Sequence, residues 1–193
     1  MLSYEESLKI LKETNALLEG HFILSSGLHS PQYVQCAQLM SKPEKASKIC
    51  ISLSKKIQNE FSEIDIILSP AMGGIIIGYE IGKLLKKETI FSERVNGEFK
   101  IRRDFLIKKN QKVLIVEDVI TTGKSSLECT KLVLEKGAHI VGYACIIDRS
   151  NGKSRITKKI VSQIELNIPT YNKDNLPDNL TLIKAIKPGS RNL

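Results

Sequence analysis

Val113–Ser125, VLIVEDVITTGKS, joins a β-branched apolar run directly to two carboxylates, two threonines and Gly123-Lys124-Ser125. The run predicts a buried strand. Residues 125–136 predict a helix ended by Gly137, and residues 140–147 a further strand. Strand, helix and strand in this order imply α/β architecture, a Rossmann-like parallel sheet flanked by helices on both faces. Ligands of such sheets bind beyond the carboxyl ends of the strands, and the open N–H groups of a helix start favour phosphate. The turn after VLIVED is therefore the predicted site.

Each residue there has a physical use. Gly123 lets the backbone approach a ligand closely, while Thr121, Thr122 and Ser125 add hydroxyl donors. Gly123-Lys124-Ser125 also resembles the tail of a nucleoside-triphosphate loop, but Asp118 stands where that motif needs glycine. Two carboxylates before a phosphate loop suit a sugar phosphate instead, because they accept hydrogen bonds from ribose hydroxyls.

Toward the N-terminus, residues 64–68 predict a strand, Ser69–Gly74 (SPAMGG) a loop, and residues 75–85 a helix apolar on nearly every side, hence buried. Ser41 with Glu44 reads as a capping box opening a helix to Glu60, and Ser3 with Glu6 as one opening a helix that ends near Gly20. Between them, residues 21–36 predict a hairpin-like element. Asn96-Gly97 predicts a second hairpin, within Arg94–Arg103. Residues 161–168 predict a strand and 173–179 a loop.

The length, 193 residues, suits one domain over 1–193. Apolar residues at 41% and charged residues at 26% are ordinary for a globular chain, and no apolar segment approaches the roughly 20 residues of a membrane span. The four cysteines form no Cys-x-x-Cys pair, which argues against zinc or a disulfide framework. No secretion signal opens the chain, so the cytoplasm is the expected location. The net charge of +8 attracts polyanions, but its lysines and arginines are spread along the chain; neither nucleic acid nor membrane is an expected partner.

VLIVEDVITTGKS resembles the phosphoribosyl diphosphate motif of the type I phosphoribosyltransferases. Within that family, FILSSGLHSPQYV (22–34), the EDVITTG form of the loop and IIDRSNG (146–152) resemble the orotate phosphoribosyltransferases. Three ordered motifs carry the resemblance across about three quarters of the chain. It implies the type I phosphoribosyltransferase fold with a small N-terminal hood over 1–40, and a mobile hairpin loop over 93–104. The implied partners are orotate and phosphoribosyl diphosphate, with Mg²⁺ held by substrate oxygens and water rather than directly by protein ligands. A homodimer with shared active sites is implied too.

Residue by residue, the resemblance implies that Glu117 and Asp118 hold the ribose hydroxyls, with Val119 and Ile120 beside them. Thr121, Thr122, Gly123, Lys124 and Ser125 would hold the 5-phosphate, and Ala71, Met72, Gly73 and Gly74 the pyrophosphate, through backbone amides. Arg149 with Thr121 would contact orotate, since a planar guanidinium matches a carboxylate. Taken alone, Asp148-Arg149 reads as a surface ion pair. Ser26, Gly27 and Ser30 would cover the base, and Arg94, Lys100, Arg102 and above all Arg103 would meet the leaving group. Asp118 and Arg103 are the expected catalytic residues.

The chain departs from the family pattern in having Ser25 and Gly73 where many members carry lysine. Its hairpin is arginine-rich and lacks their histidine. Two alternatives stand beside the orotate enzyme: a purine-type phosphoribosyltransferase, and a phosphoribosyl diphosphate sensor that binds nucleic acid. The length leaves no expected room for an appended DNA-binding domain in the second.

Overall fold

The computed structural model describes residues 1–24 and 26–188; Ser25 lies outside them. Helix α1 (Tyr4–Glu13) has both halves of its capping box: Ser3 Oγ accepts from Glu6 N–H, and the Glu6 carboxylate accepts from Ser3 N–H. It stops well before Gly20. Asn15 turns left-handed at φ 57°, and Leu17 leaves on β1 (Leu17–Ile23), which pairs antiparallel with β2 (His29–Val34). Leu17 and Leu18 thus face Val34 and Tyr33, and strand pairing overrides the helical spacing of these leucines.

A short α2 (Cys36–Met40) follows. Ser41 Oγ donates to Gln38 O, so it closes α2 rather than capping the next helix. Helix α3 (Pro43–Glu60) begins instead on Pro43, whose missing N–H costs nothing at the first helical position.

The main sheet uses β3 (Ile66–Pro70), β4 (Glu88–Val95), β5 (Glu98–Ile101), β6 (Lys112–Ile120), β7 (His139–Asp148) and β8 (Ile160–Glu165). Between them run α4 (Gly73–Leu85) and α5 (Lys124–Glu135), and α6 (Asp178–Thr181) is a single late turn. The order is β5-β4-β3-β6-β7-β8, with only β5 antiparallel to its neighbour. From β3 the chain winds outward to β4, then returns to the other side of β3 and winds on through β6, β7 and β8. This reversal opens a crevice at the carboxyl ends of β3 and β6.

Side chains alternate cleanly across the sheet. Ile67, Leu114 and Val116 face α3 and α4, joining Ile49, Leu53, Ile57, Ile77 and Ile81. Ile66, Leu68, Val113 and Ile115 face the other way, toward Cys129 and Val133 of α5. Both faces are buried, as the near-continuous apolar run predicts. All four cysteines are free and buried.

Asn96 (φ 53°) and Gly97 (φ 85°) form the predicted turn between β4 and β5. At the N-terminal end, Leu11 of α1 and Leu17 of β1 both belong to the main core, while β1 and β2 form a two-stranded sheet of their own. The late chain ties it down, through isolated bridges from Ile186 to Phe22 and from Tyr171 to His29.

Candidate active site

The crevice has two walls, each a strand end turning into a helix. On the β6 wall Gly123 adopts φ 76° as the residue before α5, and an added Cβ would lie 2.8 Å from Ile156 Cγ1. Both conformation and space demand glycine. Gly123 has no side chain with which to cap α5, and among the first-turn amides Ser126 N–H faces the Glu117 carboxylate while Lys124 N–H meets a threonine hydroxyl. The supporting bonds are modest: Lys124 N–H donates to Thr122 Oγ1 at 3.4 Å, and Arg155 N–H to Thr122 O at 3.3 Å.

Adjacent in sequence, Glu117 and Asp118 leave opposite sides of β6. Glu117 turns toward α5, where it is buried and accepts a hydrogen bond from Ser126 Oγ. Burial pushes its carboxyl up to about 7, with the Asp118 charge adding to the effect and the Ser126 hydroxyl opposing it. Asp118 turns toward α4. Its Oδ1 accepts from Val119 N–H at 2.9 Å, and burial raises its pKa against that bond.

On the β3 wall the chain passes through Ala71 and Met72, joined by a cis peptide, into Gly73 and Gly74 at the start of α4. Ala71 N–H donates to Ser92 O at 2.8 Å, which fixes the turn to β4. A Cβ on Gly73 would lie 2.6 Å from Asp118 Oδ2. The two walls therefore touch through the absence of a side chain, and the Asp118 carboxylate rests against the positive end of α4.

Arg149 begins where β7 ends, its N–H donating to Ile120 O at 2.8 Å. The side chain is half-buried. Burial lowers its pKa, with Cys36 and Tyr33 close enough to oppose the shift, and Nε is buried without a hydrogen-bond partner. Asp148 Oδ1 instead accepts from Ser150 N–H at 2.7 Å, and no Asp148–Arg149 ion pair forms among the described residues. An unsatisfied buried guanidinium nitrogen in a ligand crevice points to an anionic partner.

Tyr33 and Cys36 were not singled out in the sequence. Their proximity to Arg149 depends on how the β1–β2 hairpin folds back, and Cys36 Sγ also lies 3.9 Å from Asp118 O. Ser26 and Gly27 occupy the hairpin tip, the end away from Tyr33; Gly27 has φ 84° and donates to Leu24 O. Ser30 is fully buried, its hydroxyl donating to Gln32 O at 2.8 Å, which gives it a role in holding the hairpin.

The basic hairpin is folded on itself. Arg94 donates to Gly97 O and to Glu128, and its guanidinium lies 4.1 Å above the Phe99 ring. Arg103 donates to Glu93 at 2.7 Å and lies 5.5 Å from the Phe91 ring centre, while Arg102 approaches the same carboxylate at 3.9 Å. Arg103 holds the Glu93 carboxyl below its ordinary range. Lys100 is exposed on β5.

Comparison with known proteins matches residues 42–175 to the family described as the phosphoribosyl transferase domain. A curated orotate phosphoribosyltransferase of Parvibaculum lavamentivorans is 45% identical over 193 residues, covering all of both chains. One of Erythrobacter litoralis is 45% identical over 188 residues, 97% of each chain. The crystal structure of the Aeropyrum pernix orotate phosphoribosyltransferase superposes with a TM-score of 0.72 at 23% identity, covering 82% of this chain and 92% of that one.

Proposed function

This chain belongs to the phosphoribosyl transferase family and, within it, to the orotate phosphoribosyltransferases, and from that premise we propose how its crevice performs the reaction. The enzyme is a pentosyltransferase of pyrimidine biosynthesis. It joins orotate to C1 of phosphoribosyl diphosphate, giving orotidine 5′-phosphate and pyrophosphate. The observation that carries the acceptor assignment is Arg149, a half-buried cation with an unpartnered Nε, tied by its own N–H to the mouth of the phosphate loop. Its fork suits the orotate carboxylate, which uracil and the purine bases lack.

In this reading the positive start of α5, with Thr121, Thr122, Lys124 and Ser125, grips the 5-phosphate. Glu117 and Asp118 take the ribose hydroxyls. Ala71, Met72, Gly73 and Gly74 present the start of α4 to the pyrophosphate. Positive charge grows on the sugar as the bond to pyrophosphate breaks, and no protein nucleophile is needed; fixed charges and positioning supply the catalysis. Asp118 sits where the two walls meet, so it serves that developing charge.

The donor set fits Mg²⁺ carried by the substrate. Of the adjacent pair, Asp118 faces the α4 wall and Glu117 turns to Ser126, so a single carboxylate of the two stands beside the proposed place of the pyrophosphate. When bound, Mg²⁺ neutralises pyrophosphate charge through substrate oxygens and water.

We also propose a homodimer in which the 93–104 hairpin serves the partner's site. Met72, Ile76 and Tyr79 expose an apolar strip at helical spacing along α4, beside the crevice. A self-complementary contact through that strip would set the two crevices side by side, Met72 belonging to both the strip and the pyrophosphate turn. No helix among the described residues is long and apolar enough to cross a membrane.

A base panel tests the assignment. With phosphoribosyl diphosphate and Mg²⁺, orotate is consumed whereas uracil, adenine and hypoxanthine are not. Turnover of a purine without orotate would overturn the specificity; no turnover of any base favours a sensor.

The position of Glu117 adds a pH signature. Its carboxyl is protonated below about 7 and ionised above, and only the ionised form accepts hydrogen bonds at both oxygens. The value of kcat/KM for phosphoribosyl diphosphate therefore rises with pH, by about tenfold per unit on the acid limb, and levels off above neutrality. Glu117→Gln removes that inflection. A wild-type profile that stays flat through neutrality counts against the role of Glu117.

A further inference from the structure

We propose that His21 and His29 are a coupled pair of positioning residues that set the hairpin β1–β2 against the orotate pocket, an inference resting on the orotate assignment above. Both side chains are buried, at 4% and 6% exposure, on facing strands. His21 Nε2 lies 2.6 Å from His29 Nδ1, and His21 Nδ1 lies 2.9 Å from Ile183 O. The strand register breaks between Glu19 and Phe22, so Gly20 and His21 form a bulge. Bulges re-aim a side chain, here His21 toward its partner and the late chain.

The bonding has one consistent proton arrangement for the neutral pair. Ile183 O can only accept, so His21 Nδ1 carries a proton and its Nε2 is bare. His29 Nδ1 must then donate to that bare nitrogen. The contact satisfies His21 Nε2 and His29 Nδ1, and removing either ring leaves the other's facing nitrogen unpaired.

The main chain of both residues joins the same late segment. Ile186 N–H donates to His21 O, and His29 N–H donates to Tyr171 O. A two-stranded hairpin is marginal by itself, so these ties decide its position. The hairpin base brings Tyr33 and Cys36 beside Arg149, and the tip carries Ser26 and Gly27. Displacing it moves the wall around the base and leaves the phosphate loop of β6 and α5 in place.

The test measures initial rates of His21→Ala, His29→Ala, the double variant and His29→Asn, with thermal unfolding followed in parallel. The Asn side chain keeps an N–H near the place of His29 Nδ1. We expect KM for orotate to rise about tenfold in each Ala variant, with KM for phosphoribosyl diphosphate and kcat within about twofold of wild type. The double variant should be no worse than either single, because the pair acts as a unit. His29→Asn should recover most of the loss.

An unchanged KM for orotate, additive losses, or equal losses in both substrates would each overturn the proposal. So would failure of His29→Asn to recover. A wild-type protein inert toward orotate sinks the functional assignment and this inference together, whereas an orotate-active wild type with normal variants sinks this inference alone.

Discussion

Mixing Arg103→Ala chains with Asp118→Asn chains, each nearly inactive alone, restores about a quarter of wild-type activity after subunit exchange. The expectation follows from a site divided between subunits. In a mixed dimer one crevice receives both substitutions and the other receives neither; random exchange makes half of the dimers mixed. Asp118→Asn alone loses about 10²–10³ in kcat, since the amide no longer offers a negative charge to the reacting sugar. Its shape is preserved against Gly73, so the loss reports charge. Within one chain Arg103 is held by Glu93 and lies near Phe91, and under the proposed closure it exchanges Glu93 for the more highly charged pyrophosphate. Activity is assayed after incubating the mixture under conditions that allow exchange, with each variant alone as control. A mixture that stays inactive while mixed dimers are demonstrably present argues against closure between subunits.

Arg149→Ala lowers kcat/KM for orotate by about 10²–10³ while KM for phosphoribosyl diphosphate changes by less than about threefold. Truncation removes the charged fork and leaves the substrate carboxylate in a half-buried crevice with no cation to replace it, a penalty of about 3–4 kcal/mol. The main-chain bond from Arg149 N–H to Ile120 O does not depend on the side chain and survives. The phosphate loop should therefore hold its shape, which is why the two substrates separate. Initial-rate kinetics with each substrate varied in turn decide the matter: equal losses for both would mean that Arg149 supports the loop and does not read the base.

The sheet was legible because its strands are buried on both faces. VLIV can satisfy its composition in few other ways, and Gly123, Gly137 and Asn96-Gly97 mark turns that only a few residue types accept, whereas the 75–85 helix, expected to be buried, leaves Ile76 and Tyr79 exposed. The N-terminal part was less legible for a reason visible at Leu17. Its spacing from Leu11 suits a helix, yet the distant Val34 claims it for a strand. Ser41 misled similarly, since a Ser followed three residues later by Glu cannot reveal that Gln38 has already taken the hydroxyl. The turn from β6 into α5 needed only local order to be read, because the residues proposed to hold phosphate lie together within Thr121–Ser125. Tyr33, Cys36 and the histidine pair needed the path of the late chain, which carries no motif.

The contact between Gly73 and Asp118 bears on how this lineage can change. Even a methyl group at position 73 would lie 2.6 Å from a carboxylate oxygen of Asp118. Any larger residue there obliges the Asp118 side chain to turn aside, so a change at position 73 acts first on where that carboxylate can stand.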